Sequence, residues 1–163
     1  MATALQPFVE QPVLPLHKPH KLRIGIITAQ WNAHITDLLE AGARQCLIDN
    51  GILPENIRSE RVAGSFELPL AAQWLATETK ADAVIALGCL IKGETPHFEY
   101  ISEAVAHGIM ELNLKLNLPV SFGVITVLTE AQALDRAGGK LGNKGAEAAY
   151  TALQMLQLKQ QLS

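Results

Sequence analysis

The chain has 163 residues, 48% of them hydrophobic and 18% charged, and a formal charge of −3. That is chain enough for one domain with a sizeable core, and it offers no overall positive field to hold a polyanion, which makes nucleic acid a poor partner. Cys46 and Cys89 lie far apart without CxxC spacing, which argues against a disulfide framework or a zinc site and fits a reducing cytoplasm.

Residues 1–20 carry Pro7, Pro12, Pro15 and Pro19. Each ring fixes φ and removes a backbone donor, so the segment is expected to be an extended arm. Its non-proline positions could pair with a neighbour's sheet edge. A single α/β domain is expected over residues 21–163. Leu22 to Thr28 reads as a strand apolar on both faces. Ile35, Leu38, Leu39, Gly42, Ala43, Cys46 and Leu47 then fall on one face of a helix ending at Gly51. A weaker strand follows over Ile57 to Val62, and a helix over Phe66 to Thr79 tolerates Pro69 in its first turn.

The run Ala83 to Ile91 is a third strand, the longest uncharged apolar stretch, and far below the roughly 20 residues a membrane helix needs. With no basic stretch leading into an apolar one near the start, export and membrane insertion are disfavoured. A helix over His97 to Asn117, a strand over Pro119 to Thr126, and helices over Glu130 to Ala137 and Lys144 to Gln160 complete the chain. Near-continuous apolar strands alternating with helices predict a three-layer αβα sandwich, doubly wound, with four parallel strands.

Open parallel sheets bind ligands beyond the carboxyl ends of their strands. The segments at that rim are Ala29–Asn32, Ala63–Glu67, Ile91–His97 and Val127–Glu130. Gly93 would let the backbone turn with positive φ, and the amides after it, with Thr95, could form an anion nest or an ordinary helix cap. His97 adds a titratable group in the first helical turn. Trp31 could stack on a planar heterocycle or pack on its own helix. Ser65 and Glu67 flank Phe66, suited either to a polyhydroxylated ligand or to capping. The stretch Arg136 to Ala149 is glycine-rich with Arg136, Lys140 and Lys144, yet lacks the GxxxxGK[ST] spacing of a phosphate loop. A Cys89 thiol nucleophile with His97 as base is a rival reading; a buried strand thiol is the ordinary one.

Taken together, AGSFELP, ALGCLIKGETPHFEYI, EAQALDRAGGK and GNKGAEAA resemble, in order and spacing, the 6,7-dimethyl-8-ribityllumazine synthase family of riboflavin biosynthesis. The likeness covers Lys21 to Leu156. It implies a flavodoxin-like fold and the condensation of 5-amino-6-(D-ribitylamino)uracil with 3,4-dihydroxy-2-butanone 4-phosphate, releasing phosphate and water, with no cofactor or metal. It further implies that Trp31 stacks on the pyrimidine and that Ser65, Phe66 and Glu67 bind it and its ribityl chain. The backbone of Cys89, Leu90 and Ile91 would read the ring edge, Glu94 and Thr95 would sit in the phosphate nest, and His97 would transfer protons. Phe122, Arg136 and Lys144 would come from a neighbouring subunit: Phe122 to close the ring pocket, Arg136 to neutralise the phosphate, Lys144 to approach the substrate.

Gln30 stands where the family usually has Arg, and Ala63 where it usually has Pro. Pentamers are implied, and both a free pentamer and twelve pentamers in an icosahedral shell stay open, as does binding of riboflavin synthase. A non-catalytic relative that binds flavin or lumazine, or only builds a shell, is the alternative.

Overall fold

Strand β1 (Ile24–Ala29) is buried at all six positions, because it lies inside the sheet and is covered on both faces. The computed structural model describes residues 12–163. Strands β2 (Ile57–Val62), β3 (Ala83–Ile91) and β4 (Val120–Val127) join β1 in a wholly parallel sheet of order β2-β1-β3-β4. Ile24, Ile26, Ile85 and Leu87 point to one face, where Leu39 of α1 (Ala33–Asp49) and Leu153 of α5 (Lys144–Leu162) pack on them. Ile27, Val84 and Ala86 point to the other, under Leu68 of α2 (Leu68–Thr79) and Val105 and Ile109 of α3 (His97–Leu116). The result is the three-layer, flavodoxin-like sandwich that two-faced apolar strands require. Burying each of these aliphatic side chains is worth about 1.5–3 kcal/mol.

β2 is buried only at Ile57 and is half-buried or exposed at its other positions, as an edge strand can be, which is why its sequence pattern is weaker than that of β1 or β3. In α1, Ile35, Leu39, Ala43 and Leu47 form the buried stripe, whereas Leu38, expected on that face, is 44% exposed at its margin.

One local expectation changes. Helix α4 (Glu130–Arg136) stops at Arg136, and the glycine-rich stretch after it folds into a small antiparallel hairpin, β5 (Ala137–Gly139) and β6 (Gly142–Asn143). Gly138 at φ 115° and Gly142 at φ 76° make the turn possible. Asn143 then caps α5: its side-chain oxygen accepts from the Gly145 and Ala146 N–H groups at 2.9 and 3.1 Å, while its Nδ2 donates to the Leu38 carbonyl on α1 at 2.8 Å. Such a cap is worth about 1 kcal/mol.

Residues 1–11 of the expected arm lie outside the described residues. From Pro12 to Leu16 the chain has no helix or strand, and Pro19–Lys21 form a single 3-10 turn. This segment is fastened to its own domain. The Leu14 N–H donates to Asn50 Oδ1, the Tyr150 hydroxyl donates to the Pro12 carbonyl, and the His17 backbone exchanges two hydrogen bonds with the Gln160 amide at 2.8 and 3.1 Å. Leu14, Leu16 and Leu22 cover the lower edge of the α1/α5 core. Among the described residues no helix is long and apolar enough to cross a membrane.

Candidate active site

In a sheet of this order the crevice lies where the connections diverge, between the carboxyl ends of β1 and β3. Two backbone hydrogen bonds shape it: Gln30 N–H to the Val62 carbonyl at 2.8 Å and Trp31 N–H to the Ala63 carbonyl at 3.1 Å. They lay the loop after β1 alongside the loop after β2 and set Trp31 beside the turn Ser65–Glu67. Gly88 of β3 brings that turn close to the sheet, since a Cβ there would lie 2.6 Å from Ser65 Oγ. Ser65 is buried beneath the turn.

The product of these contacts is a pocket of about 330 Å3 lined by Trp31, Ala63, Gly64, Ser65, Phe66, Glu67, Leu90, His97 and Ile101. It combines an apolar lining with a few convergent polar groups, the usual make-up of a small-molecule site. Trp31 is 70% and Phe66 59% exposed, so neither ring packs away in the core. Ser65 does not cap a helix: the N-cap of its turn is Gly64, whose N–H donates to Glu67 Oε2 at 3.0 Å. Glu67 thus holds the turn closed with one carboxylate oxygen.

The loop from Lys92 to Pro96 is anchored at both ends. Lys92 N–H donates to the Val127 carbonyl at 2.9 Å, and Lys92 Nζ pairs with Glu99 Oε1 at 2.6 Å. The hydrogen bond from Lys92 holds the Glu99 carboxyl below its ordinary range. Gly93 corrects an expectation, because positive φ is found at Gly51, Gly138 and Gly142 and not there, and a Cβ on Gly93 would meet nothing within 4 Å. Neither backbone strain nor packing within the chain calls for glycine at that position. Glu94 and Thr95 are exposed in the bend. Thr95 does not cap α3; Pro96 is the N-cap, without a side-chain bond. His97, the first residue of α3, is exposed toward the pocket.

Not every candidate converges here. The Cys89 side chain belongs to the α1/α5 core, whereas Leu90 joins the α2/α3 side and lines the pocket. Burial pushes the Cys89 thiol up to about 11. It is protonated at neutral pH and lies on the face of the sheet away from His97, so it is no nucleophile for that base. Phe122 and Lys144 line a separate depression of about 220 Å3 between β4 and α5, where Lys144 Nζ pairs with both oxygens of Glu147 at 2.7 Å. Arg136 ends α4, with Nη1 donating to the Gln132 carbonyl at 2.9 Å. No carboxylate among the described residues pairs with it, while nearby Lys140 pairs with Asp135 at 3.0 Å. No group of three or more His, Cys, Asp or Glu among the described residues could hold a metal ion.

Sequence reasoning passed over several groups at this rim. Ile101 joins the pocket one helical turn after His97, a spacing visible in the sequence. His34 Nε2 and Glu130 Oε1 meet at 2.6 Å, linking the first turns of α1 and α4; nothing in their separate positions signals that pairing. Asn32 donates from Nδ2 to the Cys89 carbonyl at 3.0 Å.

The 6,7-dimethyl-8-ribityllumazine synthase family model matches residues 21–160. A 6,7-dimethyl-8-ribityllumazine synthase of Cytophaga hutchinsonii is 57% identical over 132 residues, covering 81% of this chain and 83% of that protein. A protein of the same name from Parabacteroides distasonis is 47% identical over 156 residues, 96% of this chain and 98% of its own. One from Aquifex aeolicus is 48% identical over 137 residues, 84% and 89% respectively.

Proposed function

The chain belongs to the 6,7-dimethyl-8-ribityllumazine synthase family and is a condensing enzyme of riboflavin biosynthesis; on that premise we propose that its reaction takes place in the rim pocket, completed by groups from a neighbouring copy. The observation that carries this reading is the division of the candidates. Trp31, Ser65, Phe66, Glu67, Leu90 and His97 share one pocket, while Phe122 and Lys144 share another.

In this reading the pyrimidine of the ribitylaminouracil stacks on Trp31, its ring edge meets the backbone of Cys89 to Ile91, and its ribityl hydroxyls reach Ser65 and Glu67. The phosphate of the butanone substrate lies against the loop amides near Glu94 and Thr95. Arg136 of the adjacent copy neutralises it, Phe122 closes over the ring and Lys144 approaches the substrate. The free 5-amino group attacks the butanone carbonyl and water leaves to give an imine, enolisation expels phosphate, and the ribitylamino nitrogen attacks the remaining carbonyl, closing the second ring with loss of a second water. His97 carries the protons of these steps, and Arg136 stabilises the departing anion. Alignment of the two reactants supplies much of the remainder, up to about 7–11 kcal/mol in favourable cases.

Assembly belongs to the same reading. Leu70 and Trp74 on α2, and Met110 and Leu114 on α3, lie one helical turn apart in each pair and stay exposed, Leu114 at 78%. Apolar rows of this kind suit burial against a second copy. A pentamer, alone or as one of twelve in a shell, would meet that need; light scattering on the intact protein distinguishes the two. A reducing cytoplasm suits the two free cysteines.

The test is direct. Purified protein with both substrates is expected to show growth of lumazine absorbance and fluorescence. No increase above the uncatalysed reaction overturns the reading and leaves a non-catalytic pocket.

A further inference from the structure

Strand β3 outruns its neighbour. β1 pairs with it only as far as Thr28 opposite Leu87, whereas β3 continues to Ile91 with β4 alone beside it. In a parallel ladder a residue turns its N–H and C=O to the same side, and successive residues alternate. Val84 N–H donates to the Pro119 carbonyl and Lys92 N–H to the Val127 carbonyl, so even-numbered residues of β3 address β4. Cys89 and Ile91 therefore face the side that β1 has left.

Asn32 fills the first of those places. Its Nδ2 donates to the Cys89 carbonyl at 3.0 Å, replacing the strand partner that β1 no longer supplies. The residue is held in the left-handed region, at φ 60° and ψ 43°, and although it is the N-cap of α1 its side chain makes no capping bond. Its own carbonyl accepts from the Ile35 and Thr36 N–H groups. Asparagine at this position ordinarily spends its side chain on the helix; here the amide turns the opposite way, across the crevice. Asn32 also directly follows Trp31, so this hydrogen bond fixes the distance between the indole and the remaining β3 edge. At that edge Ile91 presents one donor and one acceptor, a pattern that matches the alternating C=O and N–H groups on the rim of a uracil.

We propose that Asn32 is a positioning residue for the ribitylaminouracil: it holds the Trp31 loop to β3 so that the slot between the indole and the Ile91 backbone admits the pyrimidine edge. The inference rests on the site reading above and adds to it a determinant that acts on one of the two substrates.

Two variants separate this role from capping. Asn32→Asp keeps the shape and is an excellent N-cap, but sets an acceptor against the Cys89 carbonyl. Asn32→Gly keeps the left-handed backbone and deletes the side chain. Steady-state kinetics with each substrate varied in turn, with Tm for each variant, are expected to show the KM for the ribitylaminouracil raised about tenfold or more in Asn32→Asp and several-fold in Asn32→Gly, with the butanone phosphate KM within about twofold of wild type. Wild-type values for both KM in Asn32→Asp overturn the proposal, as does a fall in kcat and Tm with neither KM changed. A Trp31→Ala control keeps the two failures apart. A raised ribitylaminouracil KM there, with Asn32→Asp behaving as wild type, removes only the Asn32 role. An unchanged KM in Trp31→Ala removes the site reading, and the Asn32 role with it.

Discussion

In the proposed reading, the rim pocket and the β4/α5 depression hold complementary halves of one chemical requirement. The first has an exposed indole, a histidine and a serine but no lysine or arginine in its lining, and Lys92 on the adjoining loop is engaged by Glu99. The second has Phe122 and Lys144 and no histidine in its lining, and Arg136, at the end of α4, pairs with no carboxylate among the described residues. Proton transfer without a fixed cation, or a cation without a proton carrier, would leave expulsion of phosphate half served. If the two sets act together, the contrast teaches that a fold can separate reacting groups, provided that symmetry brings one copy's second half to the next copy's first.

The largest test of this contrast mixes defects. His97→Ala and Arg136→Ala are each expected to lose about a hundredfold or more in kcat as pure assemblies. Co-expressed, they are expected to regain about a quarter of wild-type activity, because random assembly pairs an intact His97 with an intact Arg136 at that fraction of interfaces. No regain would place both groups in one chain's site and break the comparison. Lys140→Ala, whose ammonium is already paired with Asp135, is expected to stay within about twofold in the same assay.

A second test attacks the contact between copies. Leu114→Glu or Trp74→Glu puts a charge into an exposed apolar row and is expected to lower the particle mass seen by light scattering, with activity falling in parallel although neither residue lines the rim pocket or the β4/α5 depression. Full activity in a monomeric variant would mean that each chain's site is complete.

The smallest effect concerns the layer beneath the rim. Burial raises the Cys46 and Cys89 thiols to about 11 from an ordinary 9.0, with Asp49 adding to it at Cys46 and Glu130 at Cys89. The folded state holds these protons where the unfolded chain has released them. Their contribution to stability is therefore complete below about pH 9 and lost as pH rises toward 11. Urea titrations at pH 8 and pH 10.5 are expected to show a decline that Cys89→Ala reduces. An identical decline in that variant would assign it to other groups.

The sequence was most informative where a pattern is repeated by neighbours along the chain. The β3 run Ala83 to Ile91 is apolar at both parities because it is covered on both faces, and its bounds are legible to the residue. The edge strand β2 is also legible, as a weaker strand over the same bounds, Ile57 to Val62. Grouping Trp31 with Ser65, Phe66, Glu67 and His97 needed only the rule that ligands gather at strand ends, whereas Leu90 was implied by the family resemblance. The hairpin after Arg136 was hidden because glycine reports freedom of φ and not which conformation is taken. The absence of positive φ at Gly93 is the same lesson in reverse. Asn32 was invisible as a bridge, since its partner is a carbonyl 57 residues away and a carbonyl leaves no trace in the amino-acid code.

The clasp between His17 and Gln160 joins segments 143 residues apart. On a ribosome the arm emerges well before its partner on α5, which is made 143 residues later. Leu14 and Leu16 therefore cannot seal the base of the core until α5 has emerged, and contacts of such long range form late. The nascent protein would hold an unsealed hydrophobic edge until then, and closing the clasp would mark the moment at which this domain is fit to meet its neighbours.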